Sequence, residues 1–245
     1  MKYFENILVF IFLYIPPLIF FLSCSVKRGI NKFLLTIVSI VYLLLSISTQ
    51  NLLPFIIVII SIRYLRKSAN FEGNGSRCIN EEIHDYNRFN FDIRKFSIFR
   101  AFKYAIETYG ITIFLGIATT IILNYFNLSL KEQEIVTDLM KVPISKFIFM
   151  IPIMIIFAPV VEEFTFRWLL FEKLFKPKIG IYFSAILSSL IFSMVHFNLR
   201  SMPVMITIGL INCYLIEKKG YWYAVFNHCF FNSINTLLML QQKIS

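Results

Sequence analysis

The chain is 245 residues long, 58% hydrophobic and 17% aromatic, and only 16% of its residues are Asp, Glu, Lys or Arg. Soluble domains carry about 25% charged residues, and 28 Phe with a mean hydropathy of +0.71 would leave large apolar patches on a soluble globule. This excludes a soluble globular protein, a disordered chain and a disulfide scaffold, and leaves an all-α, polytopic membrane helical bundle of seven or eight transmembrane helices. The net charge of +10 is a topology signal and not a nucleic-acid one, because the basic residues sit in loops between apolar runs and orient the spans against anionic lipid. Cys24, Cys78, Cys213 and Cys229 follow no metal or disulfide spacing.

In chain order, the first apolar run is Ile7 to Ser23, followed by Cys24 and the basic Lys27, Arg28 and Lys32. Phe21-Leu22-Ser23-Cys24 lacks the aliphatic residue expected three before a lipoprotein cysteine, and Pro16-Pro17 in its middle fits a kinked, retained span. Phe33 to Ile62 is uncharged but interrupted by Ser48-Thr49-Gln50-Asn51 and Pro54. About 20 residues cross a bilayer, so this stretch reads as one long kinked span or two short ones.

Arg63 to Lys103 holds nine Lys/Arg and five Asp/Glu, the strongest orientation signal in the chain, and the excess of cations places it in the cytoplasm. From Arg88 to Lys103, Phe89, Phe91, Ile93, Phe96, Phe99 and Phe102 alternate with basic residues, a pattern expected of an amphipathic helix on the inner membrane face. Further spans are expected at about Ala105–Phe126, Phe147–Leu170, Ile179–Phe197, Met202–Ile216 and Trp222–Leu240. Residues 1–104 thus read as N-terminal spans plus a cytoplasmic amphipathic segment, and 105–245 as the core of a single membrane domain.

Ionisable groups inside spans cost about 2.5–3.5 kcal/mol each on insertion scales, so they face a cavity and do work there. Glu162, Glu163 and Arg167 sit in one apolar run, His196 ends a second, and His228 and Asn232 lie in a third. Glu163 and Arg167 are four apart with the acid first, the order that favours an ion pair on one helix face. Glu162 is rotated by about 100° from Glu163 and is free to face a cavity. Pro159, three residues earlier, removes a backbone donor beside it. His228 and Asn232, also four apart, share a face.

In this order, Glu162-Glu163-x-x-x-Arg167, Phe192-x-x-x-His196 and His228-x-x-x-Asn232 resemble the three signature motifs of the CPBP intramembrane proteases, the CAAX-protease and bacteriocin-processing (Abi) family. The resemblance covers about Phe147 to Leu240. It implies an endopeptidase acting on peptide or membrane-protein substrates at the bilayer, in a bacterial plasma membrane, with roles in peptide maturation, self-immunity or surface-protein processing. It also implies catalytic work for Glu162, His196, His228 and Asn232, with Glu163 and Arg167 as a supporting ion pair. Glu162 can take a proton from a water oriented by His196, while His228 and Asn232 donate to the oxyanion. A zinc ion held by Glu162, His196 and His228 is the other mechanism these residue types allow, although no His-Glu-x-x-His helix occurs. The non-enzymatic alternative is an immunity or scaffold protein that uses the fold to bind a partner.

Overall fold

The computed structural model describes residues 7–46, 48–49, 51–69, 84, 87–128 and 134–245. The described residues are helical apart from short turns, and no strand occurs among them. Helices α1 (Ile7–Lys27), α2 (Lys32–Leu45), α3 (Leu52–Ala69), α4 (Ile98–Tyr125) and α5 (Glu134–Lys141) precede a composite helix α6. This winds as α-helix over Ile144–Pro152, as π-helix over Ile153–Phe157, as α-helix over Ala158–Glu162, and as π-helix again over Glu163–Phe175. Helices α7 (Lys176–Met194), α8 (Met202–Lys218) and α9 (Tyr221–Ile244) complete the bundle. Three stretches, Ile7–Lys27, Ile98–Tyr125 and the 51-residue Ile144–Met194, are long and apolar enough to cross a membrane. Their outer faces carry exposed Phe99, Phe114, Phe149 and Tyr182, which suits lipid and not water.

Phe33 to Ile62 is two helices, α2 and α3, broken at residues 46–51 where the sequence turns polar. The expected amphipathic helix over Arg88–Lys103 does not form as such. Of the part before Ser97, only a 3-10 turn at Ile93–Lys95 is helical beyond residues 87–88. Backbone groups explain the difference: the Phe89 carbonyl accepts from Tyr221 N (2.7 Å) and the Phe91 carbonyl accepts from Trp222 Nε1 (2.8 Å). Both Phe rings are buried, Phe91 packing against Trp168 and Tyr221. The aromatic stripe is therefore core, not lipid anchor, up to the start of α4, where Phe99 and Phe102 do face outward. α4 runs unbroken across residues 104 and 105. Residues 70–83 and 85–86 of the polar Arg63–Lys103 segment lie outside the described residues.

Charges far apart in sequence meet at one end of the bundle. Lys176 pairs with Glu172 (3.0 Å) and Glu217, and Arg88 stands 3.4 Å from Glu217 and 3.9 Å from Glu172. In the segment that follows Arg88, the Arg94 side chain and backbone donate to Asp92 and hold its carboxyl down at about 2, so this cap on the 3-10 turn stays ionised at any ordinary pH.

α7 is kinked near its start at Gly180, whose φ of 75° and ψ of 173° break the helix. A residue with a Cβ is strained at such a φ. The stretch that can rise beside α6 therefore starts after Gly180, which shifts the end of α7, and His196 with it, along the bundle. Four buried serines, Ser184, Ser188, Ser189 and Ser193, give α7 a small-residue face, and such faces let membrane helices approach closely. Ser188 Oγ donates to the Phe166 carbonyl of α6 (2.6 Å). On the other side, a Cβ on Gly209 of α8 would lie 2.7 Å from Ser189 Cβ and Oγ and 3.1 Å from its Cα. We therefore expect Gly209→Leu to push α7 and α8 apart and to cost about 1–3 kcal/mol, the usual range for overpacking. A thermal melt in detergent reads this directly, with Gly116→Leu, where a Cβ meets nothing within 4 Å, as the neutral comparison.

Candidate active site

The π-helical windings of α6 are where the site is built. Pro159 has no N–H, so in the wide register the carbonyl five residues earlier, that of Met154, has no backbone donor. Asn232 of α9 supplies one: its Nδ2 donates to Met154 O at 3.0 Å. Tyr221, at the other end of α9's buried face, donates its hydroxyl to the Val160 carbonyl (2.7 Å). The prolines of α1 act alike. Pro17 cannot donate to Leu13 O, which instead accepts from Thr165 Oγ1 (3.4 Å), while the adjacent Tyr14 O accepts from Tyr42 (2.8 Å). Backbone carbonyls that accept from side chains of other helices thus tie α1, α2, α6 and α9 together.

Glu163 is fully buried, and so is Arg167. Arg167 Nε stands 3.2 Å from Glu163 Oε2, as the sequence spacing led us to expect, but without hydrogen-bond alignment. Four residues fall short of a full turn in a π-wound helix, so the two side chains do not stack squarely. The guanidinium makes up for this by lying 4.3 Å over the ring of Phe192, a desolvated cation–π contact. The other carboxylate oxygen, Oε1, accepts from Asn212 Nδ2 (2.9 Å) and from His228 Nδ1 (2.8 Å).

This second bond fixes the imidazole. With Nδ1–H committed to Glu163, His228 turns Nε2 toward Glu162, 3.6 Å from its Oε2. That is too long for a direct hydrogen bond and short enough for one water to touch both. Glu162 is 13% exposed at its side chain against none for Glu163, so the two adjacent carboxylates sit in different surroundings. Tyr14 of α1 lies within electrostatic reach of Glu162. His196 stands in the turn that ends α7, before Phe197 with its positive φ of 49°, a sparsely populated conformation of the kind found at functional sites. Its Nδ1 lies 2.7 Å from the Phe192 carbonyl. The ring of Phe192 lies 4.8 Å from that of His196 and 5.7 Å from that of His228, and so spaces the two imidazoles.

The structure therefore gathers Glu162, Glu163, Arg167 and His228 directly, joins His196 through Phe192, and seats Asn232 on the carbonyl of Met154. Among the described residues no group of three or more His, Cys, Asp or Glu side chains is arranged to hold a metal ion. Sequence reasoning missed Asn212 and Asn227, which bond to each other (2.7 Å) behind Glu163. The signal was present: Asn212 is a buried amide in the middle of the apolar run Met202–Ile216.

Residues 144–234, the segment that holds all three motifs, match the family described as Rce1-like, type II CAAX prenyl endopeptidase. This bears out the resemblance to the CPBP intramembrane proteases over that segment. Among individual proteins, the chain is 29% identical over 153 residues to "Putative membrane peptidase YdiL" of Bacillus subtilis (strain 168), a match covering 60% of each chain. No solved structure matches the chain.

Removing one member of a buried ion pair strands the other, at a cost of about 3–5 kcal/mol. Glu163→Gln and Arg167→Met should each lower the melting temperature sharply in detergent. The double variant, which leaves no bare charge, should recover more than half of the loss.

Proposed function

We propose that the chain is an intramembrane endopeptidase that hydrolyses a peptide bond with water activated by Glu162. The observation that carries this reading is the 3.6 Å approach of Glu162 Oε2 to His228 Nε2, with the opposite ring nitrogen held by Glu163. A partly exposed carboxylate beside an oriented imidazole, inside an otherwise apolar bundle, is the arrangement a general base requires. The match of residues 144–234 to a peptidase family supports the same reaction class.

In the proposed cycle a water held between Glu162 and His196 loses a proton to the Glu162 carboxylate as its oxygen attacks the scissile carbonyl carbon. The carbonyl π electrons move to oxygen, and the oxyanion is met by the second N–H of Asn232, while His228 Nε2, which carries no proton when Nδ1–H is committed to Glu163, accepts a hydrogen bond from the attacking water. Collapse of the tetrahedral intermediate breaks the C–N bond, and Glu162 returns its proton to the leaving amine. Arg167 takes no part in the chemistry; it balances Glu163, and Glu163 holds His228. The cycle we propose routes no step through a metal.

The substrate class we infer is a peptide or membrane protein reaching the site from the lipid. The bacterial plasma membrane is the compartment, and peptide maturation, self-immunity or surface-protein processing is the setting. Cells expressing the wild type, Glu162→Gln or His196→Gln are the test, with membrane peptide precursors followed by mass spectrometry. Both substitutions should reduce cleavage by at least about 100-fold, in line with loss of a general base, while leaving the protein folded and in the membrane. Precursors processed equally in all three strains would leave the non-catalytic, partner-binding alternative standing. Cleavage that survives a membrane-permeant chelator is also expected.

A further inference from the structure

Asn212 and Asn227 have no place in the hydrolytic cycle, yet both are buried to within 1% among apolar side chains. Their bonds run in one direction. Glu163 Oε1 is a carboxylate oxygen and only accepts, so Asn212 must present its NH2 group to it, as Nδ2 does at 2.9 Å. The Asn212 carbonyl oxygen then faces away from Glu163 and must be met by a donor, which is Asn227 Nδ2 at 2.7 Å. One negative charge thus dictates the orientation of both amides. In return, the two amides dictate how the carboxylate stands. Oε1 is held between Asn212 and His228 Nδ1, and Oε2 is left to Arg167. Asn227 immediately precedes His228 on α9, whereas Asn212 lies on α8, so the relay also locks the two helices in register where the imidazole emerges. Thr, Ser or an apolar residue at 212 could not do this, because the task needs a donor and an acceptor at opposite ends of one rigid plane.

We propose that Asn212, oriented by Asn227, is a positioning residue for the hydrolysis assigned to Glu162. It holds the Glu163 carboxylate in the rotation that keeps the proton on His228 Nδ1 and aims Nε2 at Glu162. The kinetic part of this proposal rests on the hydrolytic reading; the structural part does not.

Two substitutions separate positioning from packing. Asn212→Leu removes the relay. Asn227→Asp keeps the shape but replaces the donor with an acceptor, so Asn212 must turn its NH2 toward residue 227 and its carbonyl oxygen toward Glu163, trading attraction for repulsion. The full chain in lipid vesicles, with ring-15N-labelled histidine, reports the tautomer by solid-state NMR, and the His228 signals are those lost in His228→Gln. In the wild type the His228 Nδ1 should be protonated throughout. In both variants at least half of that signal should move or split into a second tautomer. Unchanged His228 signals in Asn227→Asp, which needs no repacking, would overturn the proposal even if Asn212→Leu fails to fold.

The second readout is precursor cleavage. Both variants should lose about 10–100-fold in kcat with KM unchanged, the size expected when a reacting group is misplaced by about 1 Å. Shifted NMR signals with unaltered cleavage would also overturn the positioning role. If the wild type itself cleaves nothing, the hydrolytic reading fails and the NMR comparison still judges the relay.

Discussion

Everything at the centre of this bundle answers to one buried anion. Glu163 is shielded from solvent completely, and an isolated carboxylate there would be prohibitively costly. Its charge is met by a guanidinium, an imidazole and an amide from three directions. Those partners come from its own helix, from α9 and from α8, so satisfying the charge assembles the site. Neighbouring Glu162, one residue away, is spared this enclosure because its local partners are already claimed. The result is two carboxylates with two roles, one structural and one chemical, divided by environment alone.

The second determinant is the winding of α6. Pro159 denies a backbone donor to the Met154 carbonyl in the wide register, and Asn232 of α9 fills it. Inside a membrane such carbonyls cannot rely on water. The broken hydrogen bonding of the helix is therefore what attaches α9 and, through the analogous turn in α1, the N-terminal helices. In both places a proline creates a vacancy in the backbone ladder, and a distant hydroxyl or amide occupies it.

Much of this was legible in the sequence because a membrane makes polar residues expensive. The helices α6 to α9 begin and end within a few residues of where apolar runs do, whereas α4 starts well before its run and α5 matches none; Glu162, Glu163, Arg167, His196 and His228 stood out by chemistry alone. The features that were not legible arise from winding and packing. An α-helical spacing rule placed Glu163 and Arg167 square on one face, whereas the π-winding offsets them. The Phe stripe after Arg88 has the composition of a lipid-facing helix, and only the pairing of Phe89 and Phe91 carbonyls with Tyr221 and Trp222 draws it into the core. Asn212 escaped notice because one amide in an apolar run looks like a tolerated exception until its neighbours are known.

The π-wound stretch Glu163–Phe175 also fixes a length. Each wide turn holds a residue that an α turn would not, so the segment is longer in sequence than in space. Deleting one residue there would not shorten the helix; it would tighten the coil and swing the downstream residues around the axis. Glu163 would keep its place while Glu172 and Lys176 turned away from Arg88 and Glu217. Chimeras and loop grafts across this boundary must therefore conserve residue count as strictly as residue identity, and alignments that insert a gap here misread a change of helical winding as a change of length.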